Sequence, residues 1–302
     1  MRLPTCIATL TALLLITPVA AKDLGLCRFD PVQLKFAGAP TEQASCLLRR
    51  VNKGAELEDN PAVLPAPLNT LIGTPVAVSK QKLRAYLSAK GVSESAIGGS
   101  LDKPVSRAKS NNPAAPLARY FVIHDTSTPN CSKKQNKCAE LGKLPANRDE
   151  ASWRFNDQNL IIKSKGDPVA HVFVARTGIS KTGHDFGVPW RAVRLESVTP
   201  NIPAKGLFLH IENVQPRVGE PEIPPPGQKV NDRIAPDPGF TAAQYKRLAL
   251  VYVAASLRRG EWLIPGFHAV IDSGISGAHD DPQNFDLGVW AAALKGILDE
   301  LQ

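Results

Sequence analysis

The chain has 302 residues, 43% of them hydrophobic and 21% charged, with a formal net charge of +8 and a pI near 9.3. That length accommodates two modest domains, each able to bury its own core. The basic balance suits an anionic partner such as a cell wall or membrane surface. Nucleic acid is not expected, because no basic helix is interleaved with aromatics and no nucleic-acid-binding motif is present.

In chain order, residues 1–21 read as an export leader. Arg2 supplies a positive start, 10–16 an apolar stretch, and Val19, Ala20 and Ala21 a small-residue end, so cleavage is expected after Ala21. Thr5, Thr9, Thr11, Thr17 and Pro18 interrupt the run, which falls short of the ~20 apolar residues a membrane span needs. No span is expected once the leader is gone. Cys6 leaves with it, so Cys27, Cys46, Cys131 and Cys138 form an even set in a chain bound for an oxidising compartment. Local pairs, Cys27 with Cys46 and Cys131 with Cys138, close the shortest loops. The periplasm is the expected location, with full secretion as the alternative.

The mature chain divides near residue 115, where 109–116 reads as a linker poor in large apolar residues. Residues 22–115 form a smaller N-terminal region of uncertain fold. Its clearest element is a helix over 80–90, with Leu83, Tyr86 and Leu87 at helical spacing and Gly91 as the stop. From 116 to 302 the pattern is mixed α/β, a central mixed β-sheet flanked by helices. The apolar runs 120–123, 171–175 and 207–211 read as strands. Thr241 and Gln244 have capping-box spacing ahead of a helix whose face carries Tyr245, Leu248, Ala249, Tyr252 and Ala255, ended by Arg258, Arg259 and Gly260. A last helix starts near Asp286, with Trp290, Leu294, Ile297, Leu298 and Leu301 as its stripe. The proline-rich stretch within 215–239 reads as a surface loop beside the functional groove.

Chemistry concentrates at four places: His124 at one strand end, Glu212 at another, His268 after Pro265-Gly266-Phe267, and the run Ala278-His279-Asp280-Asp281-Pro282. A catalytic zinc takes three nitrogen or oxygen ligands and keeps one position open. His124, His268 and a carboxylate at Asp280 or Asp281 satisfy that count. Glu212 on a neighbouring strand then serves as a base that does not bind the metal. His210 is expected to point to the face opposite Glu212 and to pack rather than react. His171 either lines the site or is structural, and His184 has no assigned role.

These residues carry a resemblance. YFVIHDTS around His124, AHVFVARTG around His171, LFLHIEN around Glu212, FTAAQYKRLALVYVA, and GFHAVIDSGISGAHDDPQNFD together resemble the type 2 N-acetylmuramoyl-L-alanine amidases, a zinc fold shared with peptidoglycan recognition proteins and a phage lysozyme. The resemblance spans about residues 118–300. It implies His124, His268 and Asp281 as zinc ligands, with His279 and Asp280 as rival ligands, and Glu212 as the catalytic glutamate. His279 stands where the family has a lysine that stabilises the tetrahedral intermediate, and a histidinium there would donate to the oxyanion. Asp125 departs from the usual second histidine. The family's Trp-His-Ala-Gly loop is absent, and the stretch around His184 and Trp190 takes its place. The implied reaction is hydrolysis of the amide between N-acetylmuramic acid and L-alanine of the stem peptide. The alternatives are a non-catalytic peptidoglycan-binding protein of the same fold and a zinc peptidase acting within the stem.

Overall fold

A computed structural model describes residues 24–52, 56–128, 168–198, 203–217 and 234–302. The expected export leader, Cys131 and Cys138, and most of the proline-rich stretch lie outside the described residues.

The protein is α/β, with a five-stranded mixed sheet flanked by helices. Two strands of an N-terminal hairpin come first, β1 (Phe29–Asp30) and β2 (Lys35–Phe36), followed by helices α1 (Pro40–Leu47) and α2 (Lys80–Ala89). The sheet is built from β3 (Tyr120–Asp125), β4 (Val172–Val174), β5 (Ser180–Thr182), β6 (Phe208–Asn213) and β7 (Ile264–Phe267). Its order is β5-β4-β6-β3-β7; β4, β6, β3 and β7 run parallel and β5 is the antiparallel edge. All three apolar runs expected as strands are strands, and β3 and β6 extend to Asp125 and Asn213. β3 is buried at every position because both faces of the sheet are covered.

Helices α3 (Ala242–Arg259) and α5 (Leu287–Glu300) cover one face, with the single-turn helix α4 (His268–Ile271) between them in sequence. α3 starts as its sequence signals: Thr241 Oγ1 accepts from the Gln244 amide at 3.0 Å and Gln244 Oε1 accepts from the Thr241 amide at 3.1 Å. It stops at Gly260, whose φ of 82° is left-handed backbone that glycine adopts without strain. Asp286 caps α5 by accepting from the Val289 amide. Phe121 of β3 meets Tyr252 of α3 edge-on at 5.1 Å and stacks with Trp290 of α5 at 6.5 Å, which fixes the two helices against the sheet. α3 is buried on more sides than the single face its periodicity marks: Leu250, Val251, Val253 and Ala254 are buried as well, and Arg258 is drawn in by the carbonyls of Gly98, Lys103 and Pro104 and by Asp185.

The opposite face carries Tyr120 and His124 from β3 and Phe208, His210 and Glu212 from β6. Phe29 and Phe36 of the hairpin pack on Tyr120 and Phe208, and Tyr120 Oη donates to Gln43 Oε1 of α1 while accepting from the Phe36 amide. α1 crosses β7 at Gly266, where an added Cβ would lie 3.0 Å from Leu47 Cβ. The N-terminal region therefore shares one hydrophobic cluster with the sheet and covers the strand-start half of this face. The Cys27–Cys46 disulfide, expected as a local pair, ties the hairpin to α1. Residues 108–116 form a tight turn bonded to the 203–205 backbone through the Lys109 and Ser110 amides. Among the described residues, no helix is long and apolar enough to cross a membrane.

Candidate metal centre

In a parallel sheet the carboxyl ends of the strands are where ligands gather. His124 is the penultimate residue of β3, Glu212 its register partner on β6, and His268 follows the last residue of β7. The loop after α4 then returns Asp281 to the same end, with the Ala269 amide donating to the Asp281 carbonyl. The site occupies the half of the face that the N-terminal hairpin leaves uncovered.

His124, His268 and Asp281 form a buried group whose ligand atoms all lie within 4.8 Å of one another, and this group could hold a metal ion. His124 Nδ1 stands 2.9 Å from His268 Nδ1, His268 Nδ1 stands 3.0 Å from Asp281 Oδ1, and His124 Nδ1 stands 3.5 Å from Asp281 Oδ2. For metal–ligand bonds of about 2.0–2.2 Å, tetrahedral edges are roughly 3.3 Å, close to these separations. The donor set therefore fits a small divalent ion.

The electrostatics of the group favour one positive charge among these side chains. Burial lowers the pKa of His124 to about 3, with the positive charge on His268 adding to the effect. Burial also opposes protonation of His268, yet Asp281 and Asp272 raise its pKa well above the ordinary value. Asp281 is held ionised despite its burial, because His268 and His124 lower its pKa well below the usual carboxylate range. Without a metal, one proton on His268 supplies the positive charge the cluster requires; a bound cation would replace it.

Of the rival carboxylates, Asp280 turns away from the two ring nitrogens. It accepts from Gln283 Nε2 at 2.6 Å and lies 3.6 Å from Arg217, which also pairs with Asp125 at 2.8 Å. Asp125 belongs to this buried network. His279 lies at the rim: its ring stacks on His268 at 4.7 Å, its Nδ1 is 4.0 Å from Asp281, and its side chain is 44% exposed. Burial and the positive charge on His268 lower the His279 pKa, which favours the neutral ring. Glu212 is the half-buried residue of an otherwise buried β6, on the strand beside His124 and on the same face.

The expectation for His210 is wrong, and the reason is the strand period of two. Residues 210 and 212 share a face, and His210 Nδ1 lies 3.1 Å from His124 Nε2. His210 is a direct neighbour of the site. His171 is structural: its Nδ1 accepts from the His210 amide and its Nε2 faces the Val188 carbonyl at 3.0 Å. His184 stacks on Trp190 at 4.0 Å and faces the Pro168 carbonyl, away from the ligand group.

Two neighbours have no counterpart in the sequence reading. Asp272 Oδ2 lies 2.9 Å from His268 Nε2, and the i, i+4 spacing of the pair is the one sequence signal that pointed to it. Glu196 Oε2 lies 3.2 Å from His210 Nε2, and no local pattern marks it.

No protein-family model, curated protein or solved structure matches this chain. What the fold and site define is an α/β protein with a buried two-histidine, one-aspartate group at the carboxyl ends of its parallel strands.

Proposed function

We propose that this protein is an exported zinc-dependent N-acetylmuramoyl-L-alanine amidase, acting on peptidoglycan. The observation that carries the reading is the convergence of His124, His268 and Asp281 from three separate segments, with Glu212 beside His124 but outside the ligand group. Two imidazoles and one carboxylate with an open position suit zinc in a hydrolytic role. The five sequence motifs that resemble the type 2 amidases place their functional residues on these same positions.

A bound zinc would polarise the amide carbonyl and make a water acidic enough to react. Glu212 takes the proton from that water on its carboxylate and returns it to the departing amine of L-alanine, which otherwise leaves poorly. His279, at the rim, donates an N–H to the carbonyl oxygen as negative charge develops there. The Cys27–Cys46 disulfide supports an extracytoplasmic location, and the basic net charge suits an anionic wall. A filled ligand set beside a glutamate favours hydrolysis over recognition without cleavage.

The test is mass spectrometry of muropeptides after incubating purified peptidoglycan with the mature protein, with chelator, and with zinc restored. Free stem peptides beginning with L-alanine, lost with chelator and regained with zinc, are expected. Cleavage between stem amino acids would replace the amidase with a peptidase, and binding without cleavage would make the protein a recognition module.

A further inference from the structure

We infer that the turn formed by residues 190–196 fixes both metal-ligand histidines in one tautomer, with Nδ1 free for a metal ion, and that Asp272 and Glu196 are positioning residues acting through it. The inference rests on the metal-centre reading but not on the identity of the substrate.

An imidazole that binds a metal through one nitrogen must carry its proton on the other, so what the outer nitrogen faces decides whether the ligand nitrogen is available. For His268 the outer nitrogen is Nε2, and it faces Asp272 Oδ2 at 2.9 Å. Asp272 is itself held by two consecutive amides of the turn: Arg194 N–H donates to Oδ2 at 2.8 Å and Leu195 N–H to Oδ1 at 2.9 Å. A carboxylate receiving two amides is an acceptor, so it takes the His268 Nε2 proton and leaves Nδ1 for the metal.

For His124 the same instruction passes through one more ring. Its Nε2 faces His210 Nδ1 at 3.1 Å. His210 Nε2 in turn lies 3.2 Å from Glu196 Oε2 of the turn, with both side chains buried. Glu196 Oε2 receives the amides of Ala192 at 3.0 Å and Val193 at 3.3 Å, so it is an acceptor whether or not Oε1 carries a proton. Beside that oxygen a proton on His210 Nε2 is favoured over a lone pair, so His210 holds its proton on Nε2. Its Nδ1 is left to accept, His124 must donate from Nε2, and His124 Nδ1 becomes the free nitrogen.

Four consecutive amides, from Ala192 to Leu195, thus orient two buried carboxylates, and those carboxylates set both ligand rings. Glu196 and Asp272 are fully buried, as a device of this kind requires in order to escape competition from water. Arg194 Nε also donates to the Gly277 carbonyl at 3.2 Å, tying the turn to the loop that delivers Asp281. This is the stretch around Trp190 that stands where the resembled family carries a different loop.

Long-range ¹H–¹⁵N correlation spectra of the zinc-loaded full chain read the tautomers directly. His124, His210 and His268 should each be protonated at Nε2 and not at Nδ1. In parallel, zinc affinity is measured by competition with a chromophoric chelator. Asp272→Asn and Glu196→Ala should each weaken zinc roughly 10–100-fold, whereas Glu196→Gln, whose side-chain carbonyl can accept the same N–H groups, should restore most of the affinity. A His124 or His268 protonated at Nδ1 overturns the inference, as does unchanged affinity in both Asp272→Asn and Glu196→Ala. The spectra of the wild type decide the matter if a variant fails to fold. Failure to cleave peptidoglycan would remove the amidase reading and leave this result standing, while a wild type that binds no zinc would remove the metal centre and this inference together.

Discussion

His124 and His268 approach one another nitrogen to nitrogen, Nδ1 to Nδ1 at 2.9 Å, at the ends of adjacent parallel strands, and Asp281 lies within 3.5 Å of both. Two ring nitrogens hold such a contact only with a proton or a cation between them. Zinc should therefore stabilise the fold, by about 2.7 kcal/mol at a free concentration one hundred times the Kd. Calorimetric or denaturant unfolding with and without zinc measures this, and His268→Ala should abolish the zinc-dependent increment. An increment that persists in that variant would place the metal elsewhere.

Glu212 is offered as a base and not as a ligand, which separates binding from turnover. Glu212→Gln should keep zinc affinity within a few-fold and lower amidase turnover by about 10²–10⁴-fold. Normal turnover by the variant would withdraw the assignment.

His171 gives the stability a pH dependence of known sign. Burial, reinforced by His210, lowers its pKa to about 3, so the folded state keeps it neutral while the unfolded chain takes up a proton below about pH 6.5. Its contribution is present above that pH and is lost as the pH falls. His171→Gln should be less stable than the wild type at pH 7, and the gap should narrow by about 2 kcal/mol by pH 4.5. Urea unfolding of the metal-free proteins at the two pH values tests this; a constant gap would mean that His171 is not held neutral.

The Cys27–Cys46 bond joins residues 19 apart in sequence and ties the hairpin to α1. Replacing both cysteines with serine should cost roughly 3 kcal/mol of unfolding free energy and leave zinc affinity unchanged. A marked loss of affinity would show that the hairpin positions the ligands as well as covering the sheet.

The strongly patterned elements were legible in the sequence because their signals are local. Thr241 and Gln244 cap α3, Gly260 ends it, Asp286 opens α5, and the strands around His124 and Glu212 are apolar runs of the right length. The ligand residue types and their places after strands were equally visible. The choice of Asp281 over Asp280 followed from the resemblance, and the geometry shows why the two differ: adjacent residues on one loop face different partners, His268 for Asp281 and Arg217 with Gln283 for Asp280.

What only the tertiary structure decided is everything that depends on contacts between distant segments. His210 reaches the site because it shares a face with Glu212 and lies beside His124 across the β3–β6 boundary. The N-terminal hairpin and the 190–196 turn have no periodicity that announces their partners; their roles come from backbone amides and aromatic faces meeting across 60 or more residues of chain, as Arg194 does with Asp272 at a separation of 78 and Phe36 with Tyr120 at 84. Local propensity and side-chain chemistry set the elements and the candidate ligands, while hydrogen-bond satisfaction in a buried interior set which nitrogen of each histidine is left for a metal.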